Sequence, residues 1–233
     1  MSKILTTLLL TLCLSVGAAW AGDFEDGVAA HEKKDFATAL RKFKSAAAQG
    51  DADAQYNLGV MYSKGQGVTQ DYAEAGRWDK LAAAQGLALA QANLGYMYDI
   101  GRGAVQDYPE AVRWYKLAAA QGLAEAQFNL ALKYKNGLGV VQNYAEAVRW
   151  YKLASAQGDE SAQTNLGAMY EKGEGVMQDY SRAHMWLNLA AVTGSATAVK
   201  NRDNIAKLMT PQQIAQAQKL ARECQARNFK NCD

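Results

Sequence analysis

Between Ala124 and Asn136 the chain reads AEAQFNLALKYKN, and Ala126, Leu130, Ala131 and Tyr134 fall on one stripe at helical spacing. Gly137 follows the last stripe residue, where a left-handed cap is wanted, and Gly139 comes soon after. Asn143 then stands at an N-cap position with Glu146 in the third helical position, the pattern of a capping box. Asp71 with Glu74 and Asp107 with Glu110 repeat the device, and Pro109 falls in a first helical turn, where its missing N–H does no harm. The pattern predicts one helix over Ala124–Asn136 and a second from about Tyr144 to Gln157, ended by Gly158. The glycines are punctuation, marking two loops per pair of helices.

The pair recurs every 36 residues. Leu58, Leu94, Leu130 and Leu166 share one register, Tyr62, Tyr98, Tyr134 and Tyr170 another, and Trp78, Trp114, Trp150 and Trp186 a third. Such a period means stacked supersecondary units, since one helical pair cannot bury its own apolar face. Residues 22–49 read as a degenerate hairpin that caps the array, with the polar Lys42 in the tryptophan register. Residues 194–233 read as capping helices, one of them starting at Pro211 and running to about Ala226. Arg77, Arg113 and Arg149 sit three positions after Glu74, Glu110 and Glu146, which predicts a solvated face of ion pairs with Lys80, Lys116 and Lys152.

Composition narrows the function. A net charge of +2 advertises no basic face for nucleic acid. Residues 1–21 carry Lys3, an apolar run from Ile4 to Val16 and the small-residue end Ala19-Trp20-Ala21, which read together as a signal peptide cleaved before Gly22. The competing reading is a membrane anchor, but a span needs roughly 20 apolar residues. The expected product is periplasmic or secreted, monomeric, and not inserted in a membrane. Cys224 and Cys232 then form a pair in an exported chain and read as a disulfide, with a metal or redox pair as the rival. No H-E-x-x-H, C-x-x-C, G-x-S-x-G or S-x-x-K motif occurs, so no catalytic residue, metal or cofactor is expected. His31 reads as solvated and His184 as structural. The GxG loops follow no strand and read as turns rather than phosphate cradles.

The pattern A-x-x-x-L-G-x-x-Y-x-x-G-x-G-V-x-Q-D-Y-x-x-A-x-x-W-x-x-x-A-A-x-Q-G resembles the Sel-1-like repeat, a relative of the tetratricopeptide repeat. It fits at about 50–85, 86–121, 122–157 and 158–193. Ala131 replaces the glycine seen as Gly59, Gly95 and Gly167, Ala104 interrupts the second G-V, and Arg182 stands where a capping glutamate stood. The resemblance implies an all-α fold, a right-handed α-α superhelix whose first helices line a concave side. It also implies a protein or peptide partner. Some cysteine-rich relatives have been described as cell-envelope hydrolases of the β-lactamase or penicillin-binding type, which is the alternative function.

One polar register bears on the choice. Asn57, Asn93, Asn129 and Asn165 stand mid-helix, although asparagine is a poor helix former. Two readings stay open. The amides bond the backbone of a neighbouring helix, or they grip an extended peptide as tetratricopeptide relatives do. In the second case Tyr96, Phe128 and Leu132 supply apolar pockets, and the varied positions Val60, Ala168, Ser63, Asp99, Lys135 and Glu171 set specificity.

Overall fold

The computed structural model describes residues 22–230 and Cys232. The expected leader and its cleavage site after Ala21 lie outside the described residues. Every regular element among the described residues is helical. They fall into two compact units, the first ending at Gln106 and the second starting at Asp107. The first unit holds α1 (22–32), α2 (Phe36–Ala47), α3 (Ala52–Lys64), α4 (Tyr72–Ala84) and α5 (Ala88–Ile100). The second holds α6 (Tyr108–Ala120), α7 (Ala124–Asn136), α8 (Tyr144–Ser155), α9 (Glu160–Lys172), α10 (Tyr180–Val192), α11 (Ala196–Ala206) and α12 (Pro211–Ala226). Within each unit the helices from α2 to α11 pack on their neighbours in the chain, and α12 folds back on α10.

The stripes meet in two alanine-rich cores. In the first unit Phe43, Leu58 and Met61 are fully buried. In the second Leu166, Met169, Met185 and Leu187 are fully buried, with Tyr151 among them. Small residues let the helices approach closely enough for this packing.

Three polar or backbone devices repeat with the period. The first is the second glycine of each loop, which lies against the opening residue of the preceding second helix. A Cβ at Gly67 would stand 2.8 Å from the Phe36 carbonyl oxygen. Gly103 meets Tyr72, Gly139 meets Tyr108 and Gly175 meets Tyr144 still more closely, all at positive φ. The second is a buried glutamine. The side-chain amides of Gln55, Gln91 and Gln127 donate to the carbonyls of Ala47, Ala83 and Ala119 at 3.2–3.3 Å. Gln85 donates in turn to the Gln55 carboxamide oxygen and the Gly50 carbonyl, as Gln157 does to Gln127 and Gly122. The third is a cation over an aromatic ring: Lys44 over Tyr62, Lys80 over Tyr98, Lys116 over Tyr134 and Lys152 over Tyr170, at 5.7–5.9 Å.

The helix ends refine the expectations. Asp71, Asp107 and Asn143 accept from backbone N–H groups of the first turn, as predicted. The carboxylates of Glu74, Glu110 and Glu146 are engaged by Arg77, Arg113 and Arg149 instead of closing a capping box, because the arginine sits within reach one turn on. A reciprocal box forms at α12 between Thr210 and Gln213. Lys42 does not merely face water: it pairs at 2.7 Å with Asp23 and Asp26 and ties α1 to α2. His31 is likewise not freely solvated, since its Nε2 lies 3.0 Å from the Gln66 side chain and its ring stands edge-on to Phe36. Cys224 and Cys232 are joined, with their Cα atoms 5.0 Å apart, and both sulfur-bearing residues pack against the second core.

The loop glycines give the first test. Gly139 and Gly122 both have positive φ, but a Cβ at Gly122 meets nothing within 4 Å. Gly122→Ala should therefore cost only the left-handed penalty of about 1–2 kcal/mol. Gly139→Ala adds a clash with the Tyr108 backbone and should cost about 3 kcal/mol or more. Urea denaturation of the two variants checks the difference. Equal losses would remove the inter-repeat contact from the account.

Candidate functional site

The four asparagines occupy equivalent, half-buried positions in α3, α5, α7 and α9 but do not behave alike. Asn57 donates to the Asp53 carbonyl (2.8 Å) and Asn165 to the Ser161 carbonyl (2.9 Å), each four residues back in its own helix. The expected bond to a neighbouring helix's backbone is thus replaced by a bond within the same helix, which leaves the carboxamide oxygen available. In Asn165 that oxygen accepts from Lys135 at 3.0 Å. For the side chain of Asn129 no hydrogen bond is seen among the described residues. Asn93 turns to a different partner, the side chain of Asp79, at a long 3.5 Å.

The apolar positions divide too. Tyr96 is 46% exposed. Leu132 is half-buried on α7. Phe128 is drawn into packing, its ring 5.8 Å from that of Tyr151. The structure brings Asn93 and Tyr96 together in a single cavity of about 470 Å³ in the first unit, with Met97, Lys64, Arg102 and Asp79 around it. Asp79 was not singled out by the sequence reading. Its signal lies in the repeat register, where it stands in line with Tyr115, Tyr151 and Leu187, while Gly76 stands in line with Val112, Val148 and His184. All of those counterparts are buried, and all but His184 are apolar or aromatic. The first repeat has exchanged two space-filling residues for a glycine and a carboxylate; Asp79 lines the cavity, while the Met97 methyl packs over Gly76.

The electrostatics follow from burial. Asp79 is only 2% exposed, and its Oδ1 has no hydrogen-bond partner. No ion pair among the described residues includes it. Desolvation pushes its pKa up from 3.8 to about 7, opposed only by the Asn93 amide. Lys64 and Arg102 line the same cavity but are exposed, with Arg102 stacked 5.1 Å over Tyr72. The second histidine, His184, is buried on α10, and desolvation first, then Arg202, holds its pKa below the ordinary value. Among the described residues no helix is long and apolar enough to cross a membrane.

These elements define an all-α repeat protein built of stacked helical hairpins with a covalently closed C-terminal end. A family model described as "Sel1 repeat" matches residues 52–87, 88–123, 124–159 and 160–191, so the chain belongs to the Sel1 repeat family. The matched frame begins slightly later than the expected one at residue 50. Among solved structures, c5321, a protective antigen present in uropathogenic Escherichia coli strains displaying an SLR fold, is 32% identical with a TM-score of 0.80. The match covers 94% of this chain and 48% of that one, so the chain spans about half the length of that relative. A Sel1 repeat protein from Oxalobacter formigenes is 30% identical with a TM-score of 0.72, covering 84% of both chains. A putative sel1 repeat protein from Klebsiella pneumoniae, at 23% identity and a TM-score of 0.52, shares the fold over 80% of this chain and 93% of that one. No curated protein matches the chain. Repeats of this family generally mediate protein–protein interaction.

Asp79 should make stability depend on pH in a stated direction. Its folded pKa lies above the unfolded value, so its contribution is fully present below about pH 4 and is lost as pH rises through about 7. The loss approaches about 4 kcal/mol at most. Asp79→Tyr restores the residue of the two following repeats. It should raise the melting temperature by roughly 5 °C or more at about pH 8 and by distinctly less at about pH 4.5. A variant that melts lower than the parent at both pH values would show that the tyrosine position was not vacated.

Proposed function

We propose that the protein is an exported, non-catalytic scaffold that binds a protein or peptide partner along the surface presented by the first helices of its repeats. The observation that carries this reading is the contrast within those helices. Leu58, Leu94, Leu130 and Leu166 are buried and constant, whereas the register of Val60, Tyr96, Leu132 and Ala168 reaches solvent and differs in every repeat. A shared core beside a varied accessible register is the design of a scaffold with specific recognition. Sel1 membership supports the partner class. Export is supported by the layout of residues 1–21, and the joined Cys224 and Cys232 suit an oxidising compartment.

In this reading the carboxamides of Asn93 and Asn129 hold the backbone of an extended partner, and Tyr96 and Leu132 receive its side chains. Asn57 and Asn165 extend the same register. Phe128 supports the surface from beneath through Tyr151. Each hydrogen bond to a bound backbone is worth about 0.5–1.5 kcal/mol. The double variant Asn93→Ala with Asn129→Ala should therefore bind a partner recovered from envelope extracts about tenfold or more weakly, with only a small loss of melting temperature from the long Asn93–Asp79 contact. Normal binding by a variant that melts much earlier would make the asparagines structural and move the binding surface elsewhere.

A further inference from the structure

The cavity of the first repeat has a chemistry of its own, although it shares Asn93 and Tyr96 with the surface proposed for an extended partner. One replacement opens onto it, Asp79, where the next two repeats place Tyr115 and Tyr151; Gly76, in line with Val112 and Val148, is instead covered by the Met97 methyl, which would stand 2.8 Å from a Cβ there. Glycine inside a helix is unfavourable by roughly 0.5–1 kcal/mol, and a carboxylate buried without a partner costs more. Gly76 serves the packing of α4 on α5 by admitting Met97, whereas the carboxylate of Asp79 has no such use. The Asp79 carboxylate faces a space of about 470 Å³, a volume typical of small-ligand sites. Its Oδ1 accepts from nothing, and its Oδ2 has only the long contact with Asn93. What that carboxylate lacks is a cation with N–H donors. The exposed side of the cavity has the opposite need. Lys64 and Arg102 line it, and no ion pair among the described residues engages either of them. Tyr72, Tyr96 and Met97 supply apolar and aromatic wall between the two ends.

We propose that this cavity binds a zwitterionic amino-terminal group: a primary ammonium held by Asp79 and the Asn93 carboxamide oxygen, in a molecule whose carboxylate meets Lys64 and Arg102. A free amino acid and the acidic N-terminus of a peptide share that chemistry. The ammonium supplies the buried carboxylate with its missing donors, and the carboxylate turns two like charges at the opening from repulsive to attractive. A ligand with only a cation would meet Lys64 and Arg102 unfavourably, and a ligand with only an anion would leave Asp79 unpartnered. An aromatic or long aliphatic side chain suits the wall. The proposal does not require the extended partner surface, because its ligand needs only residues 63–102 of the first unit, and Asp79, Lys64 and Arg102 belong to the cavity alone.

Isothermal titration of the full mature chain tests it with four probes: L-phenylalanine, the C-terminally amidated dipeptide Phe-Glu, N-acetyl-L-phenylalanine and phenethylamine. Saturable binding of L-phenylalanine or Phe-Glu is expected, with the acetylated and decarboxylated probes at least tenfold weaker. L-Phenylalanine binding the tighter identifies a free amino acid as the source, and Phe-Glu the tighter identifies a peptide terminus. Asp79→Asn should weaken the better probe tenfold or more. Asp79→Tyr should abolish binding while the chain stays folded by circular dichroism. Failure of both zwitterionic probes to bind the parent protein, or equal binding by the parent and both variants, would overturn the proposal. Neither outcome decides the extended partner surface, which is read separately through Asn129→Ala and Leu132, outside the cavity.

Discussion

The closest approach that recurs through the fold is the second glycine of each interhelical loop against the backbone that opens the preceding second helix. A side chain at Gly103, Gly139 or Gly175 would occupy the space of a peptide carbonyl, so one pair of helices can be followed by the next only if that position carries no Cβ. The contact is between backbones and is therefore indifferent to the varied residues around it. It holds the register in which each alanine-rich stripe meets its neighbour. Once that register is set, the buried glutamines fall opposite the carbonyls they bond and the lysines fall over the tyrosine rings. The core, the amide clamps and the cation–aromatic contacts are consequences of one spacing.

A scaffold fixed this way tolerates a departure inside a single repeat, because stability in such arrays comes from each unit and its nearest neighbours. The first full repeat uses that tolerance. Asp79 weakens its interior and lines a polar cavity, while the glutamine clamp and loop contact of the same unit, Gln55 with Gln85 and Gly103 with Tyr72, remain in place. Strain or unpartnered groups retained where the surroundings over-determine the structure point to function.

Most of the fold was legible in the sequence because helical periodicity, glycine stops and N-cap residues agree at every repeat. The helix over Ala124–Asn136 runs between the residues the pattern named, and Asp71, Asp107 and Asn143 cap where they were expected to. Three things escaped. The glutamates in the capping-box pattern were drawn outward by arginines one turn away, a competition that residue spacing alone does not decide. Gln55, Gln91, Gln127 and Gln163 share a register as plain as that of the asparagines, but burial was needed to show that they are interior clamps. Asp79 was hidden by the strength of the repeat itself. A pattern read for its constants passes over the one position where a buried aromatic has become a carboxylate, and only the alignment of Asp79 with Tyr115 and Tyr151 exposes it.

The account stands on Asp79 being buried and unpartnered in a vacated aromatic position. Carbon-13 NMR of the Asp79 side-chain carboxyl, followed through a pH titration of the ligand-free protein, reads that environment directly. The account predicts a half-protonation point near pH 7. A titration near the ordinary value of 3.8 would mean that water or a cation already satisfies the carboxylate, and it would contradict the account.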